Sequence, residues 1–170
     1  MAEIPNPAQA EVSPHAALSL DRPRLDPDDS RALALVAAEA CDDRKAVDIR
    51  LIRVEEVSSL ADWFVICSGL TDVQVRAIAR SVEDALEEHV GRLPLRREGQ
   101  SEGRWVLLDY GELIIHVLTP QERAYYDLES FWGHGDQERY RSPAALAATV
   151  PASPVPAGAA ELVQPEDGTA

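Results

Sequence analysis

Apolar positions first fall into register behind Asp28-Asp29-Ser30, good helix-capping material. Leu33, Val36, Ala37 and Ala40 follow at helical spacing and predict a helix to about Cys41. After the polar break Asp42-Asp43-Arg44-Lys45, the run Val47-Asp48-Ile49-Arg50-Leu51 alternates apolar and charged residues. That is the period of a half-buried strand, continuing to about Val54. Trp63-Phe64-Val65-Ile66-Cys67 is unbroken apolar chain, suited to a central strand covered on both faces and ended by Ser68-Gly69. Thr71 and Gln74 make a capping-box pattern, and Val75, Ile78, Ala79, Val82, Leu86 and Val90 then share one helical face to about His89. Residues 91–103 read as a loop. Two apolar runs, about Arg104–Asp109 and Leu113–Leu118, flank Asp109-Tyr110-Gly111-Glu112 as a β-hairpin. Thr119-Pro120-Gln121-Glu122 is another helix start, with a Thr cap, Pro at the first helical position and Glu closing the box. This helix runs to Tyr126 or beyond, and Phe131-Trp132 folds back on the core. The order helix, strand, strand, helix, strand, strand, helix predicts an α/β fold: a single mixed β-sheet flanked by helices.

The periodicity stops at both ends. Residues 1–27 carry Pro5, Pro7, Pro14, Pro23 and Pro27, and residues 142–170 are rich in Ala and Pro with no cation after Arg141. Both are expected to be disordered tails, although Ala144 to Thr149 can extend a helix for a turn or two. Between them, residues 28–141 hold enough chain for one core. No run of about 18 apolar residues exists to span a membrane, and the amino-terminal segment lacks the character of a signal or transit peptide. Cys41 and Cys67 lack metal-ligand spacing, so free thiols in a reducing, cytoplasmic compartment are expected. The 170 residues carry a formal charge of −14. That argues against broad nucleic-acid binding, and against DNA in particular, while favouring encounter with a basic protein.

Candidate chemistry is thin. His116 has no second or third ligand at metal spacing, so a satisfied sheet histidine is the simpler account. Asp109 precedes a Tyr-Gly turn, where it can bond backbone amides or serve docking more readily than catalysis. Asp48 and Asp62 are the carboxylates to test for metal-dependent phosphoryl transfer, but the position two residues after Asp48 is Arg50, a cation that repels a metal. Ser68-Gly69-Leu70-Thr71 joins a strand to a helix, a weak phosphate-binding signal without a P-loop or dinucleotide fingerprint. Ser101 and Ser130 have no nucleophile context, and neither thiol has a neighbour that would activate it. Arg92, Arg96, Arg97 and Arg104 form a small basic patch that a solvated loop explains more simply than an RNA contact. Most aromatics lie between Trp105 and Tyr140, and Tyr and Trp are frequent interface anchors. Trp105 and Tyr110, flanking the hairpin turn, are expected to be the most exposed of them.

At these residues the chain resembles the Iojap / ribosomal silencing factor (RsfS) family. The resemblance rests on Lys45-Ala46-Val47-Asp48-Ile49, on Leu60-Ala61-Asp62-Trp63-Phe64-Val65-Ile66-Cys67-Ser68-Gly69, on Trp105-Val106-Leu107-Leu108-Asp109-Tyr110-Gly111 followed by Ile115-His116-Val117, and on Arg123-Ala124-Tyr125-Tyr126-Asp127-Leu128-Glu129 ending in Trp132. It covers about residues 30 to 133 in the family's order. It implies a nucleotidyltransferase-like sheet without the catalytic carboxylates, and hence no enzyme activity, cofactor or metal. It also implies a partner, ribosomal protein number fourteen of the large subunit, whose coverage blocks subunit joining and represses translation when nutrients are short. The matching docking residues are Trp105, Leu108, Asp109, Tyr110, Tyr126 and Leu128; Trp63 departs from the family's usual small or polar residue and is not a secure contact. Family members also self-associate as dimers. A nucleotidyltransferase-like enzyme and an RNA-binding module remain the alternatives.

Overall fold

A computed structural model describes Asp26 and residues 29–148; apart from Asp26 and residues 142–148, the expected tails lie outside the described residues. The elements in chain order are α1 (Ser30–Asp43), β1 (Val47–Arg53), β2 (Trp63–Ser68), α2 (Asp72–Val90), β3 (Arg96–Glu98), β4 (Trp105–Asp109), β5 (Leu113–Leu118), α3 (Pro120–Tyr126), α4 (Leu128–Phe131), β6 (Asp136–Arg139) and α5 (Pro143–Ala148). The chain divides after Tyr140 into two units, and α5 is the described element of the second. It falls where the Ala-rich composition allowed a turn or two of helix.

The strands form one mixed sheet in the order β3-β4-β5-β2-β1-β6. Only the central pair β2–β5 runs parallel, with Trp63 opposite Leu113 and Ser68 opposite Leu118; the other pairs are antiparallel. The hairpin expected around Gly111 is present: Tyr110 N–H donates to Leu113 O at 2.9 Å, and Gly111 takes φ +93°, which a side chain would resist. The helix caps also follow the sequence. Asp29 accepts from Ala32 N–H, Thr71 from Gln74 N–H, and Thr119 from Glu122 N–H with Pro120 at the first helical position. Gly91 ends α2 in the left-handed region at φ +68°.

Two strands lie where no strand was expected. β3 was part of the expected loop and β6 follows the last expected helix. Both are charged, exposed on every residue and placed at the sheet edges. With no buried face they have no period-2 signal, and ladder bonds to β4 and β1 alone define them.

Alternation along the central strands separates two apolar layers. Leu51, Trp63, Val65, Cys67, Val106, Leu108, Tyr110, Leu113, Ile115 and Val117 pack with the apolar stripes of α1 and α2. Cys41 and Cys67 meet there, unbridged, with sulfurs 3.6 Å apart; the contact with Cys67 and burial raise the Cys41 thiol's pKa. On the opposite face, Ile52, Val54, Ala61, Phe64, Ile66 and Leu118 form a smaller layer, flanked by half-buried Trp105, Ile114, Leu128 and Trp132.

Tyr110 therefore departs from expectation: it is 1% exposed, beneath the helices, and burial raises its pKa above the ordinary phenol value. Its hydroxyl is buried with no hydrogen-bond partner. Such a group costs desolvation without return. Tyr110→Phe is expected to leave stability unchanged or raise it by about 1 kcal/mol in urea unfolding, whereas Leu108→Ala is expected to cost about 2–5 kcal/mol. A loss above about 1 kcal/mol for the Phe variant would show that the hydroxyl is bonded.

Candidate docking face

Covering one sheet face with α1 and α2 leaves the other to two short helices, neither of which fully buries a residue. β2, β4 and β5 deliver Phe64, Trp105 and His116 to that face, and α3 and α4 bring Tyr125, Tyr126, Phe131 and the adjoining Trp132. The rings connect without a break. Tyr125 meets Tyr126 edge-on at 5.0 Å between centroids, and Tyr126 lies 4.6 Å from Trp105. Trp105 is 5.9 Å from His116, and Phe64 stands edge-on to both His116 and Trp132 at 5.3 Å. Trp132 then meets Phe131 at 5.0 Å. The middle of the chain is buried and its ends are in solvent: Tyr125 is 80% exposed, Tyr126 47% and Phe131 74%. Edge-to-face contacts of this kind orient rings as well as burying area, so the exposed ends are held by the buried middle.

His116 is the polar point in that stack. Trp105 Nε1–H donates to His116 Nδ1 at 3.3 Å. An indole N–H only donates, so Nδ1 keeps its lone pair and a neutral ring carries its proton on Nε2. Burial drives the imidazole pKa down from 6.5 to about 4. His116 thus serves as a neutral acceptor that positions Trp105.

The residues expected to dock are not brought together as a set. Trp105, Tyr126 and Leu128 lie on the ring-bearing face. Leu108 and Tyr110, at 0% and 1% exposure, point to the opposite face under α1 and α2 and are corrected to core residues, because residues an odd number of positions apart along a strand cannot share a face with Trp105. Asp109 is 8% exposed, with one oxygen accepting from Gly111 N–H at 2.9 Å and the other from Arg96 at 2.8 Å, which is turn chemistry. Exposed Tyr125 and Phe131 complete the face; their clustering was visible in the sequence, but their exposure was not.

The other candidates are engaged internally. Arg92 pairs with Glu112, Arg96 with Asp109, Arg97 with Glu83 and Arg104 with Glu122, so the basic loop is a row of ion pairs. At the Ser68-Gly69 junction, Gly69 N–H donates to Leu118 O and Leu70 N–H to Gln74 Oε1. Those amides would have to be freed before they could cradle a phosphate. Asp48 is ringed by Arg50, Arg123 and Arg139. Among the described residues no three of His, Cys, Asp and Glu are grouped as a metal would require.

The family model described as ribosomal silencing factor during starvation matches residues 27–163. A relative from Bacillus subtilis (strain 168), named ribosomal silencing factor RsfS, is 45% identical over 103 residues, covering 61% of this chain and 86% of that protein. Protein Iojap, chloroplastic, of Zea mays is 32% identical over 110 residues, covering 63% of this chain and 47% of that one. A crystal structure of a protein from Chromobacterium violaceum superposes with a TM-score of 0.60 at 34% identity, covering 69% of this chain and 96% of that chain.

The buried imidazole gives stability a defined pH dependence. The folded state holds His116 near 4 while the unfolded chain titrates near 6.5, so between these values the unfolded state binds more protons. This contribution is full above pH 6.5 and is lost as pH falls towards 4, amounting to about 3 kcal/mol. Urea unfolding at pH 7 and pH 4 is expected to show a smaller loss in His116→Gln than in the wild type. Equal losses in both proteins would exclude His116 as the source.

Proposed function

The chain belongs to the ribosomal silencing factor family, and from that premise we propose that it binds the large ribosomal subunit through ribosomal protein number fourteen. Occupying that surface blocks the small subunit sterically and represses translation when nutrients are short. The observation that carries this reading is the ring chain whose solvent ends, Tyr125, Tyr126 and Phe131, are braced by buried His116 and Phe64 and half-buried Trp105 and Trp132. Rigid aromatic anchors of this kind supply most of the energy in protein interfaces. A charge of −14 favours a basic ribosomal protein by speeding encounter and disfavouring wrong partners.

Steric occlusion needs no covalent step, and we place the protein outside the enzymes and in the cytoplasm, where subunits join. No described helix is long and apolar enough to cross a membrane. The nucleotidyltransferase-like alternative is weakened by the engaged amides at Ser68-Gly69 and the cations around Asp48. The RNA-binding alternative is weakened by the carboxylate paired with each arginine of the loop. Dimerisation, a capacity of the family, is not required for the blocking step.

Full-length protein is expected to co-sediment with purified large subunits and to slow the light-scattering rise when large and small subunits are mixed. Tyr126→Ala and Phe131→Ala are each expected to weaken co-sedimentation by about tenfold or more with an unchanged circular-dichroism spectrum. Co-sedimentation of both variants at the wild-type level would mean that partner binding uses another face.

A further inference from the structure

We propose that Arg123 is the pin that holds the aromatic face in its docking geometry, a positioning residue rather than a contact; this rests on the docking function assigned to that face. The need for a pin follows from the helices themselves. α3 has seven residues and α4 four, too few to be stable alone, and neither buries a residue fully. Their apolar hold is partial: Leu128 and Trp132 at one end, Tyr126 against Trp105 at the other. Between α3 and the start of β1 lies an open cleft, lined by Val47, Asp48, Ser68, Arg123, Ala124 and Glu129 among others, instead of apolar core.

Across that cleft Arg123 uses its whole guanidinium. Nε donates to Glu129 Oε1 at 2.6 Å. One terminal nitrogen donates to Ser68 Oγ at 3.1 Å and Val47 O at 3.3 Å, and the other to Asp48 Oδ2 at 3.3 Å. These acceptors belong to α4, the end of β2 and the start of β1. The side chain is only 11% exposed although it springs from a surface helix. A planar fork spreads five donors over three nitrogens and so reaches separated acceptors on three elements, whereas an ammonium directs its three donors from a single nitrogen.

The backbone is bent to supply the acceptors. Two of the three described non-glycine residues with positive φ, Asp48 at +49° and Asp127 at +44°, border the same cleft. Asp48 sits in the register break of β1 between Val47 and Arg50, and bulges of this kind re-aim a side chain. Asp127 ends α3 in the left-handed region, and the turn it makes brings Glu129 of α4 back to Arg123. Strain of this sort persists where the surroundings over-determine it, and here the determined group is the guanidinium. Because Tyr126 follows Arg123 by one helical turn, fixing Arg123 fixes the direction of Tyr126 and, through Glu129, the placement of α4.

The test uses the full chain, purified large ribosomal subunits, and amide hydrogen exchange read by mass spectrometry. Arg123→Met is expected to bind subunits about tenfold or more weakly. Exchange should speed up in residues 120–132 while β2 and β5 stay protected, a split that general destabilisation does not produce. Arg123→Lys is expected to recover part of the affinity, because it keeps the charge and loses the fork. If Arg123→Met binds and exchanges like the wild type while Tyr126→Ala binds weakly, the pin is refuted and the docking face stands. If Tyr126→Ala and Phe131→Ala both bind like the wild type, the docking face falls and the pin's role with it. Should Arg123→Met lose protection in β2 and β5 as well, Arg123→Lys decides: faster exchange confined to residues 120–132 supports the pin, and wild-type exchange overturns it.

Discussion

Side chains on a strand alternate between its faces, and in β2, β4 and β5 this alternation decides what every other part of the molecule must do. One set, including Val65, Leu108, Tyr110 and Ile115, is wholly apolar or aromatic and is closed by α1 and α2. The other set contains Phe64, Trp105 and His116, and the two helices on its side are too short to close it. The protein therefore has a finished face and an unfinished one. The finished face holds the larger core. The unfinished face leaves the large rings Tyr125, Tyr126 and Phe131 exposed to solvent.

An unfinished face is useful only if its rings are held still. The ring chain from Tyr125 to Phe131 achieves this by contact with buried neighbours, and the bond from Trp105 to neutral His116 sets the indole's direction. Pre-organisation of this kind lowers the ordering cost at association. The histidine contributes because burial keeps it uncharged at neutral pH, not because it can change charge there.

Electrostatics divides the same way. Arginines that looked free along residues 92–104 are matched to carboxylates within the domain. Such exposed pairs add little stability singly, but they match each of these arginines to a carboxylate, within a chain whose formal charge is −14. The less exposed ion pairs gather around Arg123, where they substitute for the apolar packing that α3 lacks.

The sequence by itself determined the elements that carry their own signal. The caps at Asp29, Thr71 and Thr119, the stripe of α2, the apolar run of β2 and the hairpin about Gly111 are written in local spacing, because capping and periodic burial act over a few residues. The α/β class and the mixed sheet follow from their order. Edge strands β3 and β6 were not legible, since a strand exposed on both faces shows no alternation. For the site, local spacing placed aromatics near one another but not on one face: Trp105 and Tyr126 share the open side, while Leu108 and Tyr110 lie on the other. Which side was open depended on where α1 and α2 dock. The partners of Arg123 were hidden for the same reason. Ser68 is 55 residues away and Asp48 is 75, and only the sheet order and the bulge in β1 bring them within a hydrogen bond of one side chain.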